Sequence, residues 1–352
     1  MHKFNSMKAI VLYQQGGIDK LTYTDYATPK ISETEILVQV EACAINRLDL
    51  RARQDRPEVD PFPHILGSDI AGVVADTGPR VSEISVGDRV VLSPNISCGQ
   101  CNDCTDGNEN LCGRQKLIGF HTNGGYAEYV AVPANNAILI DQSLDFSSAA
   151  AIPIAYLTAW HMLITRAKIQ PGEDILILSV GSGVGSAGLQ IAKLTGCRVF
   201  ATAGSDQKLQ IARQMGADFT ANYKKVDFSQ FVLDQTNGRG VDVVLEHVGQ
   251  ATWQQSITSL AKNGRLVTCG VTTGNEGQID IRKMYQKQLS LLGSALGSSS
   301  ELRTIIQLAN NGMLNPVVDQ TLPLSKAQLG HKILEDRSNF GKICLSPTLL
   351  AE

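Results

Sequence analysis

Hydrophobic and polar positions change rhythm along this chain, and the change falls near residue 174. Before it, apolar positions alternate or come in short bursts between glycines and prolines. Lys8–Tyr13 and Glu35–Ala42 read as strands. In the second, Ile36, Val38, Val40 and Ala42 share one face, and Cys43 falls on the other beside Gln39 and Glu41. Ile70–Val74, Gly87–Val91 and Gly124–Val132 continue as short strands set off by glycine turns, as in a small barrel-like β domain. The apolar run Phe146–Leu163 has helical character interrupted at Pro153 and links this part to the next.

From Asp174 strand and helix alternate. Ile175–Leu178 is an unbroken apolar run, which suits a strand buried on both faces. Gly181, Gly183, Gly185 and Gly188 follow, and Val184, Ala187, Ile191 and Leu194 repeat at helical spacing. Arg198–Ala203, Asp218–Asn222, Val241–Glu246, Arg265–Cys269 and Leu289–Leu292 read as further strands, with helices at Asp206–Met215, Asp227–Thr236 and Trp253–Leu260. This pattern predicts an α/β fold built on a doubly wound parallel sheet, beside a second, β-rich domain. The tail from Glu301 mixes helix and short strand to about Cys344 and returns to the β domain.

Gly183-Val184-Gly185-Ser186-Ala187-Gly188 fits the dinucleotide pattern GxGxxG, in strand–turn–helix context. Glycine is what the physics asks for. The turn is tight, a pyrophosphate must approach the backbone, and the helix must lie close on the strand. Free N–H groups and the positive dipole end of that helix then face the phosphates.

Composition narrows the class. A length of 352 residues suits two domains, and 43% hydrophobic residues suffice for a sizeable core. A net charge of −3 makes no electrostatic case for nucleic acid. Met1–Met7 lacks the apolar centre of a secretion signal, and no stretch approaches the roughly 18 apolar residues of a membrane span. The expectation is a cytoplasmic protein acting on a small molecule, with neither nucleic acid nor membrane as partner. Eight cysteines in such a chain favour metal over disulfides.

Four of them, Cys98, Cys101, Cys104 and Cys112, are separated by two, two and seven residues. Polar, glycine-bearing turns that gather four thiolates suit a tetrahedral zinc. The iron–sulfur alternative fits less well, because the bacterial ferredoxin run places its fourth cysteine about three residues on, followed by proline. Four cysteines leave no open coordination position, so this zinc is expected to be structural.

Two further features have a bland reading beside a functional one. Arg51, Arg53 and Arg56 suggest a basic rim for an anion, or a solvated loop balanced by Asp49, Asp55 and Glu58; the loop is favoured. His64, among prolines and apolar residues, reads as packed or solvated rather than catalytic.

The second strand of the α/β part ends Ala201-Thr202-Ala203-Gly204-Ser205-Asp206. Ala203 stands where an acid would hold the adenosine ribose of NADH. Asp206 lies at a helix start, where N-capping is the simpler role. A small neutral strand end leaves room for a 2′-phosphate, with Ser205, Lys208 and Tyr223 as donors. NADPH is therefore preferred over NADH.

These motifs, with Gly67–Gly72, Gly87–Arg89, Gly124–Glu128 and Leu157–Thr158, make the chain resemble the medium-chain dehydrogenase/reductase superfamily, the zinc alcohol dehydrogenase and quinone oxidoreductase group, over nearly its whole length. The resemblance implies a GroES-like substrate domain over 1–154 and 302–352, with its structural-zinc lobe at about 93–114, a Rossmann domain over 155–301, and a homodimer. Zinc alcohol dehydrogenases hold a second, catalytic zinc through Cys, His and Cys, often with a nearby Glu. Those positions carry Asn46, Ser68, about Ile154 and Asp69 here. Amide, hydroxyl and hydrocarbon do not make a zinc site. Asn46 is the residue quinone oxidoreductases show there, and Lys208 and Tyr223 match their 2′-phosphate binders, although those enzymes commonly lack the cysteine lobe.

The resemblance thus implies that Asn46 orients the nicotinamide ribose or the substrate and that Thr158 lines the nicotinamide pocket. Ser68 and Asp69 are further catalytic candidates, or structural hydrogen-bond partners. Gly181, Ser182, Gly183, Val184, Gly185, Ser205, Lys208, Tyr223 and Gly270 complete the cofactor set. Without a Lewis acid, ionising an alcohol at neutral pH is difficult, whereas an electrophilic carbon accepts hydride with less help. The expected activity is NADPH-dependent reduction of a quinone or α,β-unsaturated carbonyl. The alternatives are an alcohol or aldehyde dehydrogenase with a second metal, and an NADPH-binding structural or interaction protein with little turnover.

Overall fold

The computed structural model describes residues 5–56, 59 and 61–350. The chain forms two compact units, one running to Ile154 and resuming at Ser298, the other Ala155–Gly297.

The second unit is a Rossmann sheet. Its six parallel strands lie in the order Phe219–Asn222, Arg198–Ala203, Asp174–Ile177, Val241–Glu246, Leu260–Thr268 and Ser290–Gly293. All four residues of Asp174–Ile177 are buried, as the unbroken apolar run requires of a central strand. Helix Gly183–Leu194 packs on it with Ala187, Leu189, Ile191 and Ala192 buried. Gly188 is what permits the close approach: a Cβ there would stand 2.8 Å from Leu245 Cδ1. The opposite end of the sheet is tied by Asp174, whose carboxylate takes Arg198 at 2.6 and 2.7 Å and Arg239 at 2.6 Å.

The first unit is β-rich. Its larger sheet runs Ala137–Leu139, Arg89–Leu92, Asp69–Thr77, Glu35–Ala44, Lys342–Ser346 and Val318–Pro323, with Tyr129–Pro133 also paired to Glu35–Ala44. The tail strand Lys342–Ser346 is fully buried beside the central strand. Two register shifts in Glu35–Ala44 disturb the simple alternation read from sequence. Ile36, Val38, Val40 and Ala42 are buried, and so is Cys43, which belongs to the core rather than to a polar face with Gln39 and Glu41.

Segment 46–56 also departs from the sequence reading. Arg47–Gln54 is helical rather than a loop, and Asp49 and Arg53 are each 1% exposed, so neither is solvated or on a rim, whereas Arg51 and Arg56 are half-buried and Asp55 is exposed. Glu58 lies outside the described residues. His64 is buried, as a packed histidine, and burial lowers its pKa. The Phe146–Leu163 segment divides into Phe146–Ala150 and Ala155–Trp160, on either side of Pro153.

Gly188→Val would drive methyl groups into Leu245, which is fully buried and has nowhere to move. The substitution should cost about 1–3 kcal/mol, seen as a lower unfolding midpoint with unchanged zinc content.

Candidate functional site

Chemistry-bearing residues gather in three places, two in the β-rich unit and one in the Rossmann unit.

The cysteine lobe is the simplest. Cys98 precedes a short helix, Asn102–Thr105, that carries Cys104, and Cys112 follows the turn Glu109–Leu111. The four Sγ atoms lie within 4.8 Å of one another, with Cys101–Cys104 at 3.5 Å and Cys98–Cys104 at 3.8 Å. Four sulfurs at about 2.3 Å from a tetrahedral zinc stand about 3.8 Å apart, so the donor set fits that ion. N–H groups of Gln100 and Cys101 hold the Cys98 thiol down to about 6, favouring the thiolate a metal needs. Cys43, Cys197, Cys269 and Cys344 stand outside the cluster, and burial raises each of their pKa values.

The second place is a buried polar network at the end of strand Glu35–Ala44. Asn46 and Asp49 form the capping box of helix Arg47–Gln54, with Asn46 N–H donating to Asp49 Oδ2 at 2.7 Å. Asn46 Nδ2 donates to Asp69 Oδ2 at 2.9 Å. Lys342, unremarked in the sequence, brings a 5%-exposed ammonium to the same carboxylate at 2.9 Å. Its other protons go to Asn46 Oδ1 and Ile45 O. The second oxygen of Asp69 accepts Ile154 N–H at 2.7 Å, and Ser68 Oγ donates to Ile118 O at 2.6 Å.

Asn46, Asp69 and Ile154 are thus brought into one network, with Ser68 beside it. Its polar atoms are engaged with one another, and an ammonium sits on Asn46 Oδ1 and Asp69 Oδ2. This donor set does not fit a catalytic zinc. A site without thiolate or imidazole, whose one carboxylate already holds a cation, offers zinc too few ligands.

The network continues inward. Burial pushes Asp49 up to about 7. Tyr126 bonds Asp49 on one side and lies 3.1 Å from His331 Nε2 on the other. Arg53 NH1 reaches His331 Nδ1 at 3.5 Å and NH2 reaches Glu335 at 2.5 Å. A guanidinium only donates, so Nδ1 accepts and Nε2 carries the proton toward Tyr126. Burial lowers His331 to about 3, so its ring is neutral. Lys342 and His331 escaped sequence reading, Arg53 was read only within a basic rim or solvated loop, and Tyr126 only within the motif Gly124–Glu128. The available signal was a lysine at the start of the largely apolar strand Lys342–Ser346.

The third place is the glycine turn. Ser182 caps helix Gly183–Leu194, its Oγ accepting Gly185 N–H at 2.9 Å. A Cβ at Gly185 would stand 2.5 Å from Ser179 O, so only glycine closes this turn. Ser182 Oγ also lies 3.0 Å from His247 Nε2, a residue sequence reading missed. At the end of strand Arg198–Ala203, Ser205 caps the next helix. Asp206 is occupied by Lys225 at 2.5 Å and Asn222 at 2.8 Å. Tyr223 is 38% exposed, and its hydroxyl stands 2.6 Å from where Gly204 would carry a Cβ. Gly270 follows strand Leu260–Thr268, and Thr158 is 7% exposed in helix Ala155–Trp160.

A glycine turn at the switch point of a Rossmann sheet, in a chain with a GroES-like β unit and a zinc-fitting lobe, defines a dehydrogenase class. Comparison with known proteins agrees. Residues 32–142 match the alcohol dehydrogenase GroES-like domain, and 183–311 match the zinc-binding dehydrogenase family. An alcohol dehydrogenase of Geobacillus stearothermophilus is 34% identical over 316 residues, 89% of this chain and 92% of that protein. A quinone oxidoreductase of Sus scrofa is 30% identical over 350 residues, 96% of this chain and 97% of that protein. The crystal structure of an NAD-dependent alcohol dehydrogenase superposes with a TM-score of 0.93 at 42% identity, covering 97% of this chain and 99% of that one. The chain belongs to the medium-chain dehydrogenase/reductase superfamily and is an oxidoreductase of that type. Among the described residues, no helix is long and apolar enough to cross a membrane.

Two outcomes follow from this geometry. Elemental analysis should find close to one zinc per chain, and Cys104→Ser should remove it and loosen the lobe, because a four-cysteine site contributes folding energy directly. Two tightly held metals would contradict the fit described above. Asp49, raised to about 7, keeps a proton in the fold that the unfolded chain releases near pH 4. Folding therefore weakens as pH rises from about 4 to about 7. Asp49→Asn keeps an acceptor and cannot ionise, so relative to wild type it should gain about 2–4 kcal/mol between pH 4 and 8. Urea unfolding at both pH values measures this; a pH-independent difference would show Asp49 ionised in the fold.

Proposed function

We propose that this oxidoreductase reduces a quinone or an α,β-unsaturated carbonyl with NADPH and uses no catalytic metal. The observation that carries the reading is the buried Lys342–Asp69–Asn46 network, which stands where the relatives' resemblance would place metal ligands. Such a site cannot ionise an alcohol as a metal would. An enone or quinone carbon is already electrophilic, and its reduction asks only for hydride and a proton that water can deliver.

The glycine turn fits a dinucleotide, because Gly185 leaves the backbone bare and the helix Gly183–Leu194 directs its free N–H groups outward. When bound, the nicotinamide supplies the hydride. The chain's own part is to place it. In this reading Thr158 and the remaining lone pair of Asn46 Oδ1 orient the reacting groups, while Ser68 and Asp69, like the Asn46 amide nitrogen, act as framework, bonded within the β-rich unit. Ser205, Lys208 and Tyr223 receive the 2′-phosphate. The pairing of Asp206 with Lys225 and Asn222 supports this, because it neutralises the carboxylate nearest that strand end.

A second reading is an NAD-dependent alcohol dehydrogenase. It is favoured by the 42% identity to a structure of that description. One set of assays separates the two. Steady-state rates should be measured with NADPH on quinones, enals, enones and aldehydes, and with NADP+ and NAD+ on ethanol and benzyl alcohol. A chelator mild enough to leave the cysteine site filled is included in parallel. Reduction of a quinone or enone should dominate and survive the chelator. Lys208→Ala should weaken NADPH by about 10- to 100-fold, the worth of a charge-assisted hydrogen bond, and leave NADH nearly unchanged. Faster alcohol oxidation that chelation abolishes would establish the second reading instead. Tight cofactor binding with no turnover on any substrate would leave only a binding role.

A further inference from the structure

Strands Asp174–Ile177 and Val241–Glu246 are neighbours, yet the chain leaves them in opposite directions across the sheet. The first leads to Arg198–Ala203 on one side, the second to Leu260–Thr268 on the other. Ligands of open parallel sheets sit outside the carboxyl ends of such a pair. His247 is the residue that follows Val241–Glu246 at this point.

Its placement is tightly determined. Glu246, fully buried, accepts Val248 N–H at 2.6 Å and Gly249 N–H at 3.0 Å, and takes the hydroxyls of Thr252 and Ser256. That fixes the backbone immediately after His247. Thr272 Oγ1 donates to His247 O at 3.2 Å, and Gly270 comes so close that a Cβ would lie 2.9 Å from the same oxygen. Held from both sides, the half-buried imidazole lies 3.0 Å from Ser182 Oγ at the glycine turn.

The hydroxyl of Ser182 has two lone pairs and one proton. One lone pair takes Gly185 N–H. If His247 Nε2 carries hydrogen, it donates to the second lone pair and the Ser182 proton is left to point outward. If Nε2 is bare, Ser182 must donate inward to it, and a ligand at the turn loses that donor. We propose that His247 is a positioning residue for the dinucleotide's diphosphate: its Nε2–H turns the Ser182 hydroxyl proton toward the bound anion. The inference rests on the dinucleotide reading given above.

The test is calorimetric titration of NADPH, ADP-ribose and adenosine 2′-monophosphate into wild type, His247→Leu, His247→Gln and Ser182→Ala. The first two ligands contain the bridging diphosphate and the third does not. His247→Leu should weaken NADPH and ADP-ribose by about 3- to 10-fold, because the Ser182 hydroxyl keeps its proton but nothing any longer aims it at the anion. The monophosphate should change less than 2-fold. The glutamine amide can donate to Ser182, so His247→Gln should recover most of the affinity. In the Ser182→Ala background, His247→Leu should add no further loss. If His247→Leu does not fold, His247→Asn, too short to reach Ser182, takes its place with the same expectation. Unchanged affinity, equal loss for all three ligands, or full additivity with Ser182→Ala overturns the proposal. If wild type binds none of the three ligands, it is the dinucleotide reading that fails.

Discussion

An ammonium inside a protein keeps its charge only where every N–H finds an acceptor and a carboxylate stands beside it. Lys342 meets that condition through Ile45 O, Asn46 Oδ1 and Asp69 Oδ2. Its strand and the strand that begins at Asp69 flank Glu35–Ala44 in the sheet, so the ion pair spans the end of the central strand. Removing one partner of such a pair typically costs about 3–5 kcal/mol, since the other is left buried and unpaired. The register of three strands and the start of helix Arg47–Gln54 therefore answer to one electrostatic requirement.

The same requirement settles the direction of the neighbouring bonds. With Oδ1 on Lys342, the Asn46 amide can only turn Nδ2 toward Asp69. With Arg53 donating to Nδ1, His331 must donate from Nε2 toward Tyr126. A network whose donors and acceptors are matched in this way is rigid, and its members have little left to offer a metal. The two units thus treat polar groups in contrasting ways. The β-rich unit bonds its side chains to one another. The Rossmann unit uses one short side chain, Ser182, to cap Gly185 N–H at its glycine turn.

Much of the Rossmann unit was legible in the sequence. A strand buried on both faces must be apolar at every position, and a helix packed on it must repeat near 3.6 residues, so Ile175–Leu178 and Val184–Leu194 declare themselves. The cysteine cluster was legible because four thiols within one short loop are brought together by their spacing alone. The β-rich unit was harder. The register shifts in Glu35–Ala44 buried Cys43 against the expected alternation. The charges of 46–56 read as solvated because short charge runs usually are, and nothing local shows that Asp49 and Arg53 have partners 77 and 282 positions away, at Tyr126 and Glu335.

What the sequence by itself determined was the order of elements, the glycine turn and the cysteine cluster. These are local: each depends on residue type and on neighbours a few positions away. Only the tertiary structure decided that Lys342 meets Asp69 across 273 residues, and that His247 meets Ser182 across 65. Periodicity and spacing record how a segment folds on itself. They carry no information about which distant polar side chains share a low-dielectric interior, and it is that sharing which sets protonation, bond direction and the ligands a site can hold.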